Sequence, residues 1–213
     1  EFLTDKITFG PFQGQMFLGD QLQSNIYRID TQVVDGQEQA VAIPFAEGLK
    51  SGAMRLRFNP ADSSLWIGQT GRGWRSRGGN TYAFQRIVYD PKVSVNAIKT
   101  VKTTPKGFDV HFTQPQSGED EAKNIVCSSW YYLNSSEYGS PRQGKREEKV
   151  LKTSWNDAKT ICSITLDNFQ VKKEKGSDSS RVYRINLENT AFGKMHDPYL
   201  AKAYYTLHKI PTK

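Results

Sequence analysis

The 213-residue sequence predicts an all-β chain, and three observations predict it. Helical periodicity is nearly absent. Short apolar or alternating runs recur along the whole length, each bounded by Gly, Pro, Asn or Asp. The composition, with 17 Gly, 9 Pro, 11 Phe, 10 Tyr and 4 Trp, favours pleated, half-buried surfaces over helices. At roughly 100–200 residues per domain, the length implies one large domain or two modest ones. No apolar run approaches the ~20 residues that a helical membrane span needs.

Gln15–Gly19 is a short apolar run closed by Asp20. In Asn25–Asp30 the residues alternate, Ile26 and Arg28 facing one way and Tyr27 and Ile29 the other. Val33-Val34 leads into Asp35-Gly36, a type I′ hairpin signal, and Gln39–Phe45 is the returning strand. Met54–Phe58, the turn Asn59–Asp62 and Leu65–Gly68 follow. A Gly/Arg-rich loop, Gln69–Asn80, then precedes the alternating strand Tyr82–Tyr89. Asp90-Pro91 ends this stretch and the texture changes, so the predicted boundary separates 1–92 from 93–213.

The second part holds seven strand signals: Ala97–Thr103, Phe108–Phe112, Ile125–Leu133, Lys149–Trp155, Thr160–Leu166, Val182–Leu187 and Ala203–Leu207. Short strands separated by turns at this density predict a β-sandwich of immunoglobulin or fibronectin type. The immunoglobulin Cys…Trp…Cys pattern is only half met, with Trp155 seven residues before the second cysteine, so a generic sandwich is expected. Glu188–Lys202 contains Gly193 and Pro198 and reads as a loop with at most one turn.

Within 1–92 one pattern occurs twice. Phe17-Leu-Gly-Asp with Asn25-Ile-Tyr-Arg-Ile matches Trp66-Ile-Gly-Gln with Phe84-Gln-Arg-Ile-Val, and Gly19 and Gly68 are 49 residues apart. That spacing fits a β-propeller blade. A closed propeller needs at least four blades and this length supplies two, so 1–92 is expected to be an incomplete set of terminal blades. An unpaired blade edge invites association, which implies a partner chain or a homo-oligomer. There is no initiator Met, basic n-region or apolar h-region, so processing or a longer parent chain is expected.

The net charge of +7 is uneven: 1–92 carry ten Lys/Arg against nine Asp/Glu, and 93–213 carry nineteen against thirteen. No nucleic-acid-binding module accompanies the excess, so no nucleic-acid partner is expected. Cys127 and Cys162 form neither CxxC nor CxxCH, which excludes zinc ribbons and c-type haem. They read as half-buried strand residues, disulfide-bonded if the compartment oxidises, rather than as reactive thiols.

Gly10-Pro-Phe-Gln-Gly14, Phe17–Asp20, Gly52–Phe58 and Gly71-Arg-Gly-Trp74 together resemble the C-terminal part of bacterial secreted proteins related to the sugar and sorbosone dehydrogenase propellers. Thr104–Phe112 and Tyr204–Pro211 resemble the start and end of the β-sandwich that follows the last blades there. The resemblance implies an exported, periplasmic or extracellular protein. It also implies that pyrroloquinoline quinone and calcium belong to the full-length parent and not to this chain alone. The family's histidine base comes from an early blade with no counterpart here, and His111, His196 and His208 all lie in the second part, so no catalytic residue carries over.

Blade geometry then sorts the loops. With Met54–Phe58 as the innermost strand, Glu47–Gly52 and Thr70–Asn80 share one end with Gln21–Ser24. Lys50, Arg72, Trp74, Arg75, Arg77 and Asn80, with Asp20 nearby, become the candidate ligand-binding residues. Guanidinium forks grip carboxylates or phosphates bidentately, glycines let a backbone approach a ligand, and Trp74 offers a stacking face for a sugar or quinone. The competing reading is a solvated surface loop, and for Asp20 a turn cap. The loop lacks Gly-Lys-Ser/Thr and a following helix, so it is no P-loop. His196-Asp197 with His208 lacks a third metal ligand, and Trp130-Tyr131-Tyr132 with Tyr138 reads as core on at least one face. No Ser-His-Asp or paired-carboxylate constellation occurs. The alternative to a contribution to sugar oxidation is a non-catalytic adhesion, assembly or carbohydrate-binding module.

Overall fold

A computed structural model describes every residue except Asp5, Trp74, Gly118, Asp120, Ser135, Glu137, Tyr138, 172–179, 192–199 and Lys213. The described residues are all-β. Their strands are β1 Met16–Asp20, β2 Asn25–Val34, β3 Gln37–Ala46, β4 Ala53–Phe58, β5 Leu65–Thr70, β6 Tyr82–Ile87 and β7 Ile98–Thr104. The rest are β8 Gly107–Phe112, β9 Val126–Tyr131, β10 Gln143–Glu148, β11 Val150–Trp155, β12 Ile161–Leu166, β13 Arg181–Asn186 and β14 Lys202–Leu207. One 3₁₀ turn, Ala122–Asn124, interrupts them, and no described sheet closes on itself. The middle of Glu188–Lys202 lies outside the described residues.

The chain divides into two compact units: Glu1–Asp30 with Ala42–Val95, and Thr31–Val41 with Asn96–Lys213. Strands β2 and β3 each run from one unit into the other. Their connection, Asp35-Gly36, has φ of 45° and 80°, the two left-handed residues of a type I′ turn.

The first unit contains two antiparallel meanders, β1-β2-β3 and β4-β5-β6. The N-terminal residues add to the first. The Glu1 ammonium donates to the Phe17 carbonyl at 2.9 Å, Phe17 N–H to the Glu1 carbonyl at 2.7 Å, and Leu3 N–H to the Gln15 carbonyl at 3.0 Å. Phe2 and Met16 form an antiparallel bridge. The sequence reading did not find this pairing, because three residues carry too little alternation.

The unit's core is aromatic. Phe17 of β1 lies 5.0 Å from Phe45 of β3 and 5.3 Å from Phe58 of β4, edge to face, and Phe9 caps Phe58 at 5.1 Å. Each buried Phe contributes roughly 1.5–3 kcal/mol, and each edge-on pair about 0.5–1.5 kcal/mol beyond that. Ile26 and Arg28 share a face as the alternation predicts, but that face is interior, and Arg28 is only 2% exposed. Its guanidinium lies 3.8 Å from the centre of the Phe12 ring and donates to Gln15 Oε1 at 2.6 Å. Burial pulls this guanidinium down to about 9, against the field of Asp30.

In the second unit two antiparallel sheets, β3-β14-β13-β9-β10 and β11-β12-β8-β7, share a core. Phe108 of β8 meets Tyr183 of β13 at 5.3 Å and Tyr205 of β14 at 5.2 Å. Glutamines secure β3 here. Gln39 Oε1 accepts the His208 and Lys209 N–H groups at 2.9 and 3.0 Å, and its Nε2 donates to the Lys209 carbonyl at 3.1 Å. Gln32 accepts the Tyr205 hydroxyl at 2.8 Å.

Strand β10, Gln-Gly-Lys-Arg-Glu-Glu, has no apolar alternation and escapes the sequence reading. It is an edge strand whose one fully buried side chain, Glu148, accepts from Ser129 Oγ and from Arg146 Nε. Arg181, itself buried, donates to the same Ser129 hydroxyl at 2.6 Å. Both cysteines are buried and neither is in a disulfide, Cys127 on β9 and Cys162 on β12. This corrects the half-buried expectation: Cys127 is 2% and Cys162 0% exposed, both as core side chains.

Candidate functional site

Three connections of the first unit, Gln21–Ser24, Glu47–Gly52 and Gly71–Thr81, are tied together by backbone hydrogen bonds. Leu49 N–H donates to the Ser24 carbonyl at 3.1 Å, Arg77 N–H to the Leu22 carbonyl at 3.0 Å and Asn80 N–H to the Lys50 carbonyl at 3.0 Å. Side chains complete the clasp: Gly78 N–H donates to Ser24 Oγ at 3.0 Å, and Ser51 Oγ to the Asn80 carbonyl at 2.7 Å.

Two glycines permit this approach. A Cβ on Gly78 would lie 2.3 Å from the Leu49 carbonyl oxygen, and one on Gly52 would lie 2.4 Å from that of Gln21. Both are therefore required by contact with neighbouring backbone rather than by an approaching ligand.

The repeated Gly-polar pair explains the rest of the framework. Asp20, after Gly19, accepts Gln23 N–H on Oδ1 at 2.8 Å and caps the β1–β2 turn. Gln69, after Gly68, accepts Ser51 N–H at 2.8 Å and donates to Gln85 Oε1 at 2.9 Å, and Gln85 Oε1 also accepts Lys50 N–H at 2.9 Å. In both copies the polar residue sits at or next to the end of its strand, Asp20 on β1 and Gln69 on β5, and fixes a neighbouring loop. The repeat flagged these positions. Only the folded chain reveals their partners, with Ser24, Ser51 and Gln85 as additional members.

The structure thus brings the backbones of Lys50, Arg77 and Asn80 to one rim, with Arg72 and Arg75 on the same loop. Arg72 N–H donates to Thr70 Oγ1 at 3.1 Å, fixing where the loop leaves β5. Lys50, Arg72, Arg75, Arg77 and Asn80 are all exposed, and no ion pair engages these four cations among the described residues. Asp20 is half-buried, and its Oδ1 caps the β1–β2 turn, as its competing reading has it. Trp74 lies outside the described residues.

The weaker candidates sort as follows. Trp130 is buried beneath the Arg142 guanidinium, 4.2 Å from its ring centre, and so belongs to the core. Tyr131 is half-buried and Tyr132 exposed, while Tyr138, His196 and Asp197 lie outside the described residues. Among the described residues no three His, Cys, Asp or Glu side chains gather as a metal site. No helix there is long and apolar enough to cross a membrane. Comparisons with protein-family models, curated proteins and solved structures find no match to the chain.

Proposed function

We propose that the chain is a non-catalytic binding part of an exported protein related to the sugar and sorbosone dehydrogenase propellers. In this reading the first unit is two consecutive blades and the second a β-sandwich. The clasped rim takes a carboxylate-bearing ligand such as an acidic sugar. The observation that carries it is the rim itself: four exposed cations and an amide on loops immobilised by their own backbone. A loop whose backbone is already fixed loses less freedom on binding than a free one.

The strand pattern supports the blade reading. β1-β2-β3 and β4-β5-β6 are both antiparallel meanders in chain order, and Glu1–Leu3 adds a bridge alongside β1. Gly19 and Gly68 then both lie near the C-terminal ends of corresponding strands, β1 and β5. Pyrroloquinoline quinone and calcium would be held by parts of the parent outside this chain.

Binding of polygalacturonate, with neutral dextran as control, tests the proposal. The wild-type chain binds the acidic polymer, more weakly as salt rises, and ignores dextran. Arg72→Ala with Arg75→Ala weakens binding by about 1–2 kcal/mol, toward the low end for charged hydrogen bonds because both side chains are exposed. Equal binding of both polymers, or an unchanged affinity in the double variant, refutes it.

A further inference from the structure

Strand β6 forms one edge of the sheet β4-β5-β6, and Arg86 is the one edge-protecting charge it carries. Its sequence Tyr-Ala-Phe-Gln-Arg-Ile contains no Pro, Gly or Lys, and its register with β5 runs without a bulge from Leu65↔Ile87 to Thr70↔Tyr82. Such edges are ready templates for another strand. Among the described residues, the backbone of Tyr82–Ile87 makes no hydrogen bond beyond its pairing with β5.

The outer face of this edge is apolar and uncovered. Tyr82 is 78% and Phe84 68% exposed. Phe84 lies 5.0 Å from Trp66, whose ring has the Arg86 guanidinium at 5.6 Å. The inner-face residues Ala83, Gln85 and Ile87 are only half-buried, as befits a strand with one neighbour missing.

We infer that a second copy of this chain covers the edge, with β6 pairing antiparallel to its counterpart about a twofold axis at Phe84. The sequence is self-complementary in that register. Phe84 faces its own copy, Tyr82 faces Arg86 and Ala83 faces Gln85, so no like charges oppose. An aromatic pair sits at the centre, with a cation–aromatic contact on either side. The alternation keeps both aromatic faces on one side of the joined sheet, which a one-residue slip would break. The second copy is specified by this ring and cation–aromatic matching, with Arg86 also 3.6 Å from Asp62 of its own chain, and it does not depend on the ligand reading of the rim.

Cysteine trapping reads the register directly, because both native thiols are buried. Phe84→Cys is expected to form an intermolecular disulfide on mild oxidation. Val33→Cys, at a 69% exposed position of β2, serves as control and is expected not to. Light scattering across a concentration series gives a dimer for the unmodified chain and a monomer for Phe84→Lys, with unchanged circular dichroism. A monomer at every concentration, a dimer that survives Phe84→Lys, or F84C cross-linking no faster than V33C overturns the inference.

Discussion

Arg28 occupies a position where the strand pattern calls for an aliphatic residue. Its stem and guanidinium fill the space under Phe12 and supply the partner of Gln15. Arg28→Ala is expected to cost about 2–4 kcal/mol in urea denaturation, from the lost packing and the lost hydrogen bond to Gln15. Arg28→Met should cost less, because it refills most of the volume. In the second unit, burial and the nearby Glu148 raise the Tyr183 hydroxyl to about 12, while the same causes push the Cys127 thiol above its ordinary range. Both groups hold their protons more tightly folded than unfolded. Their contribution is therefore complete below the unfolded values, about 8.5 for Cys and 10 for Tyr, and is lost as pH climbs through the folded ones. Denaturation midpoints measured from pH 8 to 12 should fall, and Tyr183→Phe should flatten the part above roughly pH 10. The facing of Ile26 and Arg28 was legible in the alternation. That Arg28 would be interior was not, since it depends on Phe12 arriving from a loop whose path no local pattern encodes.

At the scale of elements, the strands of the first unit were legible because each alternates and ends on a turn signal, Asp35-Gly36 most clearly. Strand β10 was not, since its pairing with β9 is secured by Glu148, Ser129 and Arg181 rather than by apolar side chains. The convergence of the three loops followed from the order of strands. The atoms that clasp them did not, because Ser24, Ser51 and Gln85 are ordinary polar residues until their partners are known. Gly78→Ala tests the clasp. Its methyl would press on the backbone of Leu49 and Lys50, with the nearest atoms at 2.3 and 2.4 Å, so the loops must part. The expected result is a stability loss of roughly 1–3 kcal/mol, typical of overpacking, together with weaker polygalacturonate binding. Gly36, with open space around its Cβ position, should tolerate Asn with little change, since that residue also accepts a left-handed backbone.

For the whole molecule the informative feature is the segment Thr31–Val41, which belongs to the second unit although it is flanked in sequence by the first. Nothing local marks it: the same alternation runs unbroken along β2 and β3, and the pairing of β3 with β14, with glutamine and lysine bonds to residues near 103 and 205–209, makes the attachment. A chain shortened to 93–213 would lack the neighbour of β14 and the amide partners of His208 and Lys209. It is expected to aggregate or show no cooperative thermal transition by circular dichroism, whereas the full chain melts cooperatively. Consider any single crossover between two genes. A junction before residue 96 severs the first unit, and one after residue 31 severs the second, so every junction breaks at least one. Lineages that reshuffle their coding segments would have to inherit the pair undivided, and the ancestry of one half should track that of the other.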